Sequence, residues 1–314
     1  MNRDRGIFWL RLAGTLVTAG LMIYLVTRLG WREILSAVLE IETWRFGLAV
    51  ILILVSRLAV SGRWYSLLQG AKVGIPFSRS VQITFAGLFA GNFLPTTVGG
   101  DVVRIAGAIQ SGCDEALSVA SVVVDRVVGL LGMAIALPSG ILQAVQYGAG
   151  VIQLPAIESG FAYRWGWMSL LTWPEGLGEK VRGQLMRLKE ALLVWRGEPA
   201  ALGRALLATG AHMVCLFAAV SVILGGLEDP LTFARIAGLW SLTYFVTLLP
   251  VSINGLGIQE LSMVFIFSEF GGISMHTSLT LSLLMRTLFV LASLPGALFL
   301  PTILSKRKSG PDAM

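Results

Sequence analysis

Charge is what this sequence lacks most, and cysteine and histidine are nearly as scarce. Only 13% of the 314 residues are Asp, Glu, Lys or Arg, against 55% hydrophobic residues and a mean hydropathy of +0.77. A soluble chain of this length needs more polar residues than that to cover its surface, so water is not its main solvent. The two cysteines, Cys113 and Cys215, form no CxxC pair and have no nearby histidine, which excludes a zinc site or a disulfide framework as the reading of them. His212 and His276 each stand alone, and a lone helical histidine is more often a hydrogen-bonded packing residue than a ligand. Neither a metal nor a cofactor is therefore expected. No GxxxxGK[ST], HExxH or GxSxG occurs either, so nothing marks the chain as an enzyme by motif.

The net charge of +6 and pI near 9.7 raise nucleic acid as a partner. The basic residues, however, cluster beside apolar runs instead of lining one face, which is the pattern of membrane topology and argues against nucleic acid. The first run, residues 7–26, is interrupted only by Arg11 and matches the roughly twenty residues that span a hydrocarbon core of about 30 Å. It is too long for a signal-peptide core and lacks a clean cleavage site, so it is expected to be retained as a first helix. Further runs cover 46–68, 81–94, 117–142, 205–224, 233–249, 258–270 and 279–303. The fold expected is all-α, a polytopic membrane helix bundle of about eight hydrophobic segments, several too short for a full span and read as broken or re-entrant. It forms one domain over 1–314, with a first half at about 1–147, a connector at about 148–200 and a second half at about 201–314.

Lysine and arginine set the expected orientation. Arg3 and Arg5 precede the first run, Arg63, Lys72 and Arg79 are read as following the second, a group from Lys180 to Arg204 precedes the fifth, and Lys306, Arg307 and Lys308 come last. All four clusters are expected on the cytoplasmic side, with both termini there and the Glu228-Asp229-Pro230 turn outside. In the connector, 148–173 carries Trp165, Trp167 and Trp173 and reads as interfacial. Beyond it, Val181, Leu185, Leu188, Leu192 and Trp195 make an apolar stripe with basic flanks. Such a helix lies in the headgroup interface or packs on the protein, since one stripe serves either contact.

Three stretches hold polar residues that hydrophobicity alone does not explain. The first runs from Asn92 through Leu-Pro95 to Gly99, Gly100, Asp101 and Arg104. Proline removes a backbone donor and glycine pairs permit tight turns, so the helix should break here and restart near Gly100, with its N-terminus aimed at the break. The second, Pro250, Ser252, Asn254, Gly255, Gly257 and Glu260, repeats this plan in the other half of the chain. Matched interruptions in two halves point to inverted repeats with a site at their interface, although ordinary loops use the same residues. The third is Asp125-Arg126 inside the 117–142 run. Each ionisable residue within a span costs about 2.5–3.5 kcal/mol on insertion scales, and neighbours about 100° apart on a helix do not neutralise one another well. Each needs another partner: Asp101 or Glu260 for Arg126, and for Arg286 the remaining carboxylate or an anionic lipid phosphate. A buried structural pair is the competing account. Gly87 and Gly91 add a small-residue spacing that suits close helix packing.

Taken together, these stretches resemble the lysylphosphatidylglycerol synthase transmembrane family, also called the flippase-like domain family. The resemblance rests on Asn92 with Pro95, on Gly99-Gly100-Asp101-x-x-Arg104, on Asp125-Arg126-x-x-Gly129, on Pro250-x-Ser252-x-x-Gly255-x-Gly257-x-x-Glu260, and on Arg286 in the last run. In that family the hydrophobic domain, when fused to a soluble aminoacyl-transferase, is associated with moving aminoacylated phospholipid between leaflets. The sequence after residue 303 holds no such domain, so lipid aminoacylation is not expected of it. The resemblance implies a multi-pass protein of a bacterial or archaeal cytoplasmic membrane that moves a phospholipid, glycolipid or isoprenoid lipid between leaflets. The alternatives are a subunit of a lipid-modification pathway, working with a partner enzyme of lipid metabolism, or an ion-coupled solute transporter.

Overall fold

A computed structural model of the chain describes residues 41–93, 99–148, 193–248 and 257–304. Among these residues the fold is all-helical, with nine α-helices: α1 (Thr43–Gly70), α2 (Phe77–Phe93), α3 (Gly99–Gln110), α4 (Glu115–Gly148), α5 (Pro199–Gly226), α6 (Phe233–Thr247), α7 (Ile258–Phe265), α8 (Met275–Ser293) and α9 (Gly296–Leu304). Four of them, α1, α4, α5 and α8, are long and apolar enough to cross a membrane. At 28 residues, α1 and α5 each reach about 42 Å, well beyond a hydrocarbon core of about 30 Å.

The helix boundaries follow local chemistry. Pro199 opens α5 at the position where a missing N–H costs nothing. Asp114 accepts from the backbone N–H groups of Ala116 and Leu117 at 2.9 and 3.2 Å, and Ser274 accepts from that of Thr277 at 2.9 Å, so α4 and α8 both start on a side-chain cap. Thr277 also donates to Asp229 at 2.8 Å, which ties the acidic turn after α5 to the start of α8. Gly257 adopts φ 78° ahead of α7, a conformation that glycine tolerates, and Glu260 reaches back to accept from its N–H. α7 continues through a π-helical turn, Ile266–Phe270, before Gly271 and Gly272 end it.

α1 packs along α5, α4 against α6, and α2 against both α3 and α9. The largest core cluster joins α1, α5, α6, α8 and the α7 region through Ile53, Phe217, Leu239, Phe267 and Leu288. A second cluster, around Trp64, Ile83 and Val103, joins α1, α2 and α3. Ile51, Val55 and Leu58 on α1 and Val127, Leu131 and Ile135 on α4 lie outside these cores with exposed side chains, an apolar exterior suited to lipid.

The 279–303 run is not one helix. It divides into α8 and α9 at Leu294-Pro295, because proline supplies no N–H to continue the ladder. Arg63, read above as flanking the second run, lies within α1 and is buried. Trp195 lies in a short 3-10 turn, Val194–Gly197, and is buried with its indole N–H donating to the Leu67 carbonyl at 2.9 Å. At that residue the apolar stripe packs on protein. The rest of the stripe, the 148–173 segment beyond α4 and the 7–26 run lie outside the described residues.

Candidate functional site: an arginine-rich cavity where four helix ends meet

Asp125 lies on the inner face of α4 with 1% of its side chain exposed. Arg63 of α1 clasps it with two hydrogen bonds, Nε to Oδ1 at 2.7 Å and Nη2 to Oδ2 at 3.1 Å, the bidentate geometry that makes arginine–carboxylate pairs strong. Room for that guanidinium comes from Gly129, one turn along α4, where a Cβ would sit 2.9 Å from Arg63 Nη1. Arg104 of α3 brings Nη2 to 3.0 Å from Asp125 Oδ2 and Nη1 to 3.7 Å from Asp101. These contacts are poorly directed, and Nε and Nη2 of Arg104 make no hydrogen bond among the described residues. Beneath it lies the Trp64 ring, 4.7 Å from the guanidinium carbon and held by its own hydrogen bond to Ser121.

The neighbouring Arg126 points elsewhere, as adjacent helix positions must. Its Nη2 and Nε reach Asp101 Oδ2 at 2.7 and 3.1 Å, and its side chain is 54% exposed. Arg286 of α8 stands 3.7 Å from Glu260, whose other oxygen accepts from Gly257 N–H at 2.8 Å. Asn92, near the end of α2, donates to Ser293 of α8 at 2.9 Å.

These groups surround a cavity of about 410 Å³. Asn92 from the end of α2, Gly100 from the start of α3, Thr247 from the end of α6 and Gln259 from the start of α7 all line it, so it gathers the helix ends on both sides of both Leu-Pro stretches. Five arginines line it as well: Arg57, Arg63, Arg104, Arg126 and Arg286. Asp101 and Asp125 are the lining carboxylates among the described residues. Of the residues singled out from sequence, Asn92, Gly100, Asp101, Arg104, Asp125, Arg126 and Arg286 share this lining. Gly99 starts α3 beside it, and Gly257 and Glu260 join it through Arg286. Pro95, Pro250, Ser252, Asn254 and Gly255 lie outside the described residues.

Residues 11–296 match the family described as the lysylphosphatidylglycerol synthase TM region. The chain belongs to this family. A comparison with curated proteins finds no match. The family match takes in all fifteen residues singled out from sequence and every helix described except α9, whose Gly296 is its last residue. Within this member of the lysylphosphatidylglycerol synthase transmembrane family, sequence reasoning missed Arg57 and Phe289, gave Arg63 a topological role and read His212 as a hydrogen-bonded helix residue. The signal was present for both arginines, since each is a cation inside the 46–68 run and carries the same insertion cost that drew attention to Asp125. His212 bonds to Ser56 across α5 and α1, Nδ1 to Oγ at 2.7 Å, and faces the cavity.

Proposed function

We propose that this membrane protein translocates a lipid between leaflets, with the headgroup crossing through the arginine-rich cavity while the acyl chains stay in the surrounding bilayer. The observation that carries this reading is the meeting of the helix ends from both Leu-Pro stretches on one polar cavity inside an otherwise apolar bundle. Irregular backbone at membrane depth is tolerated where it lines a wet cavity, and helix ends there offer free backbone groups to a polar cargo. The reading takes α2–α3 and α6–α7 as corresponding parts of two inverted repeats that rock against one another. It places the protein in the cytoplasmic membrane with both termini on the cytoplasmic side, in keeping with the basic clusters.

The test is reconstitution into vesicles carrying fluorescently labelled phospholipid and isoprenoid lipids in one leaflet. Protein-dependent movement to the other leaflet is expected. Asp101→Asn, Arg126→Ala and Glu260→Gln should each slow it by about tenfold or more, the factor that corresponds to one charge-assisted hydrogen bond. Equal rates in protein-free and protein-containing vesicles for every lipid class would remove the proposal.

A further inference from the structure

The translocation reading leaves the chemistry of the headgroup open, and the charge on the cavity wall narrows it; this step rests on that reading. Five guanidinium groups face the cavity or its rim, against the carboxylates of Asp101, Asp125 and, through Arg286, Glu260. Five cations against three anions leave two positive charges in excess among the described residues. The two Leu-Pro stretches, residues 94–98 and 249–256, contain no ionisable side chain in the sequence.

The excess has a place. Asp125 is shared by Arg63 and Arg104, Asp101 answers Arg126, and Glu260 answers Arg286. Arg57 forms no ion pair among the described residues. Its guanidinium lines the cavity and lies 4.6 Å from the centre of the Phe289 ring, one helical turn beyond Arg286 on α8. Arg104, whose Nη2 is taken up by Asp125, adds a buried Nε with no hydrogen bond among the described residues. A surplus of cations inside a membrane bundle is costly unless an anion enters. Every cation here is an arginine, whose planar fork matches two oxygens of a phosphate where an ammonium matches one.

A zwitterionic headgroup would leave the excess untouched, an aminoacylated one with net positive charge would add to it, and a phosphodiester would offset half of it. We infer that the cavity takes a headgroup with two or more negative charges, a phosphomonoester or diphosphate of a lipid, and that Arg57 is the contact reserved for it. The phosphate oxygens accept hydrogen bonds from Arg57 and from Nε of Arg104, and the existing ion pairs hold the other arginines in place around them.

The experiment is a binding titration of the purified full chain in detergent, read by intrinsic tryptophan fluorescence, since Trp240 lines the cavity. The probes are short-chain phosphatidic acid, phosphatidylglycerol, phosphatidylcholine, lysylphosphatidylglycerol, inorganic phosphate and inorganic pyrophosphate. Phosphatidic acid is expected to bind about tenfold tighter than phosphatidylglycerol, and Arg57→Gln to weaken it by about tenfold, with Arg57→Lys recovering part of the loss. Because Arg57→Gln breaks no ion pair among the described residues and gives up only the contact with the Phe289 ring, it should lower the unliganded melting temperature little, so a lost affinity reads as lost contact. Competition between pyrophosphate and phosphatidic acid would support a shared phosphate subsite. Equal binding of phosphatidylcholine and phosphatidic acid, tighter binding of lysylphosphatidylglycerol, or unchanged affinity in Arg57→Gln would each overturn the inference. Binding of free phosphate or pyrophosphate with none of phosphatidic acid would overturn the lipid assignment. Tight phosphatidic acid binding without movement in vesicles would instead sink translocation and leave the headgroup site standing.

Discussion

Two ion pairs in this cavity have the same chemistry and unequal consequences for stability. Asp125 is sealed between Arg63 and Arg104 with 1% of its side chain exposed, while Arg126, which holds Asp101, is 54% exposed. Removing one partner of a buried pair leaves an uncompensated charge, whereas an exposed pair contributes little because water replaces it. Asp125→Ala, which strands two guanidiniums, should therefore destabilise the fold by about 3–5 kcal/mol, and Arg126→Ala by no more than about 1 kcal/mol. Thermal unfolding of both variants in detergent checks this, and equal losses would mean that the Asp125 site is as wet as the Arg126 site. The difference also makes Arg126→Ala a fair test of transport, because the protein lacking that guanidinium still folds. Asp125 and Arg126 stood out in the sequence because charge inside an apolar run is conspicuous. That Asp125 binds Arg63 was not legible: 62 residues separate them, and Arg63 reads with Lys72 and Arg79 as a topology signal although it falls inside the 46–68 run. Arg57 was passed over, standing between Ser56 and Leu58 with no motif of its own.

At the scale of elements, α2 and α3 are pressed together backbone to backbone. A Cβ on Gly100 would come within 2.5 Å of the Gly87 carbonyl oxygen, and one on Gly87 within 2.8 Å of the Gly100 carbonyl oxygen. Gly91, one turn on from Gly87, has more room, its nearest neighbour being the Gly100 Cα at 3.9 Å. Gly100→Val should force the two helices apart at a cost of about 1–3 kcal/mol, the usual range for overpacking, while Gly91→Ala should be nearly silent. Unfolding midpoints of the two variants decide it, and a silent Gly100→Val would mean that α3 is free to shift. The Gly87-x-x-x-Gly91 spacing announced a close helix contact, but not that only its first glycine sits in the tightest part of it or that Gly100 is the partner. Helix existence was largely legible, since long apolar runs allow little else in a bilayer. Helix ends were not: α8 and α9 read as one span because Leu294-Pro295 barely alters local hydropathy, and the restart at Gly99 was visible only because glycine and proline stand together with a carboxylate.

Across the whole molecule, α8 touches both halves of the cavity. Asn92 hydrogen-bonds to Ser293 at one level of the helix, and Arg286 reaches Glu260 two turns earlier. If cargo passes by rocking of one half against the other, these two contacts cannot both stay closed through a cycle, whereas a cavity that only binds a headgroup has no need to open them. A covalent link across the first should separate these cases. With Cys113 and Cys215 replaced by alanine, Asn92→Cys and Ser293→Cys joined by a short bifunctional thiol reagent should slow lipid movement in vesicles by about tenfold or more. That factor corresponds to holding the resting conformation by about 1.4 kcal/mol relative to the open one. Phosphatidic acid binding should survive, because the link replaces neither Arg57 nor Arg104, and cleavage of the reagent should restore the rate. Movement that continues unimpeded through the cross-linked protein would place the path elsewhere than between α2 and α8, and would require that the cavity serve as a fixed binding site around which the bilayer itself deforms.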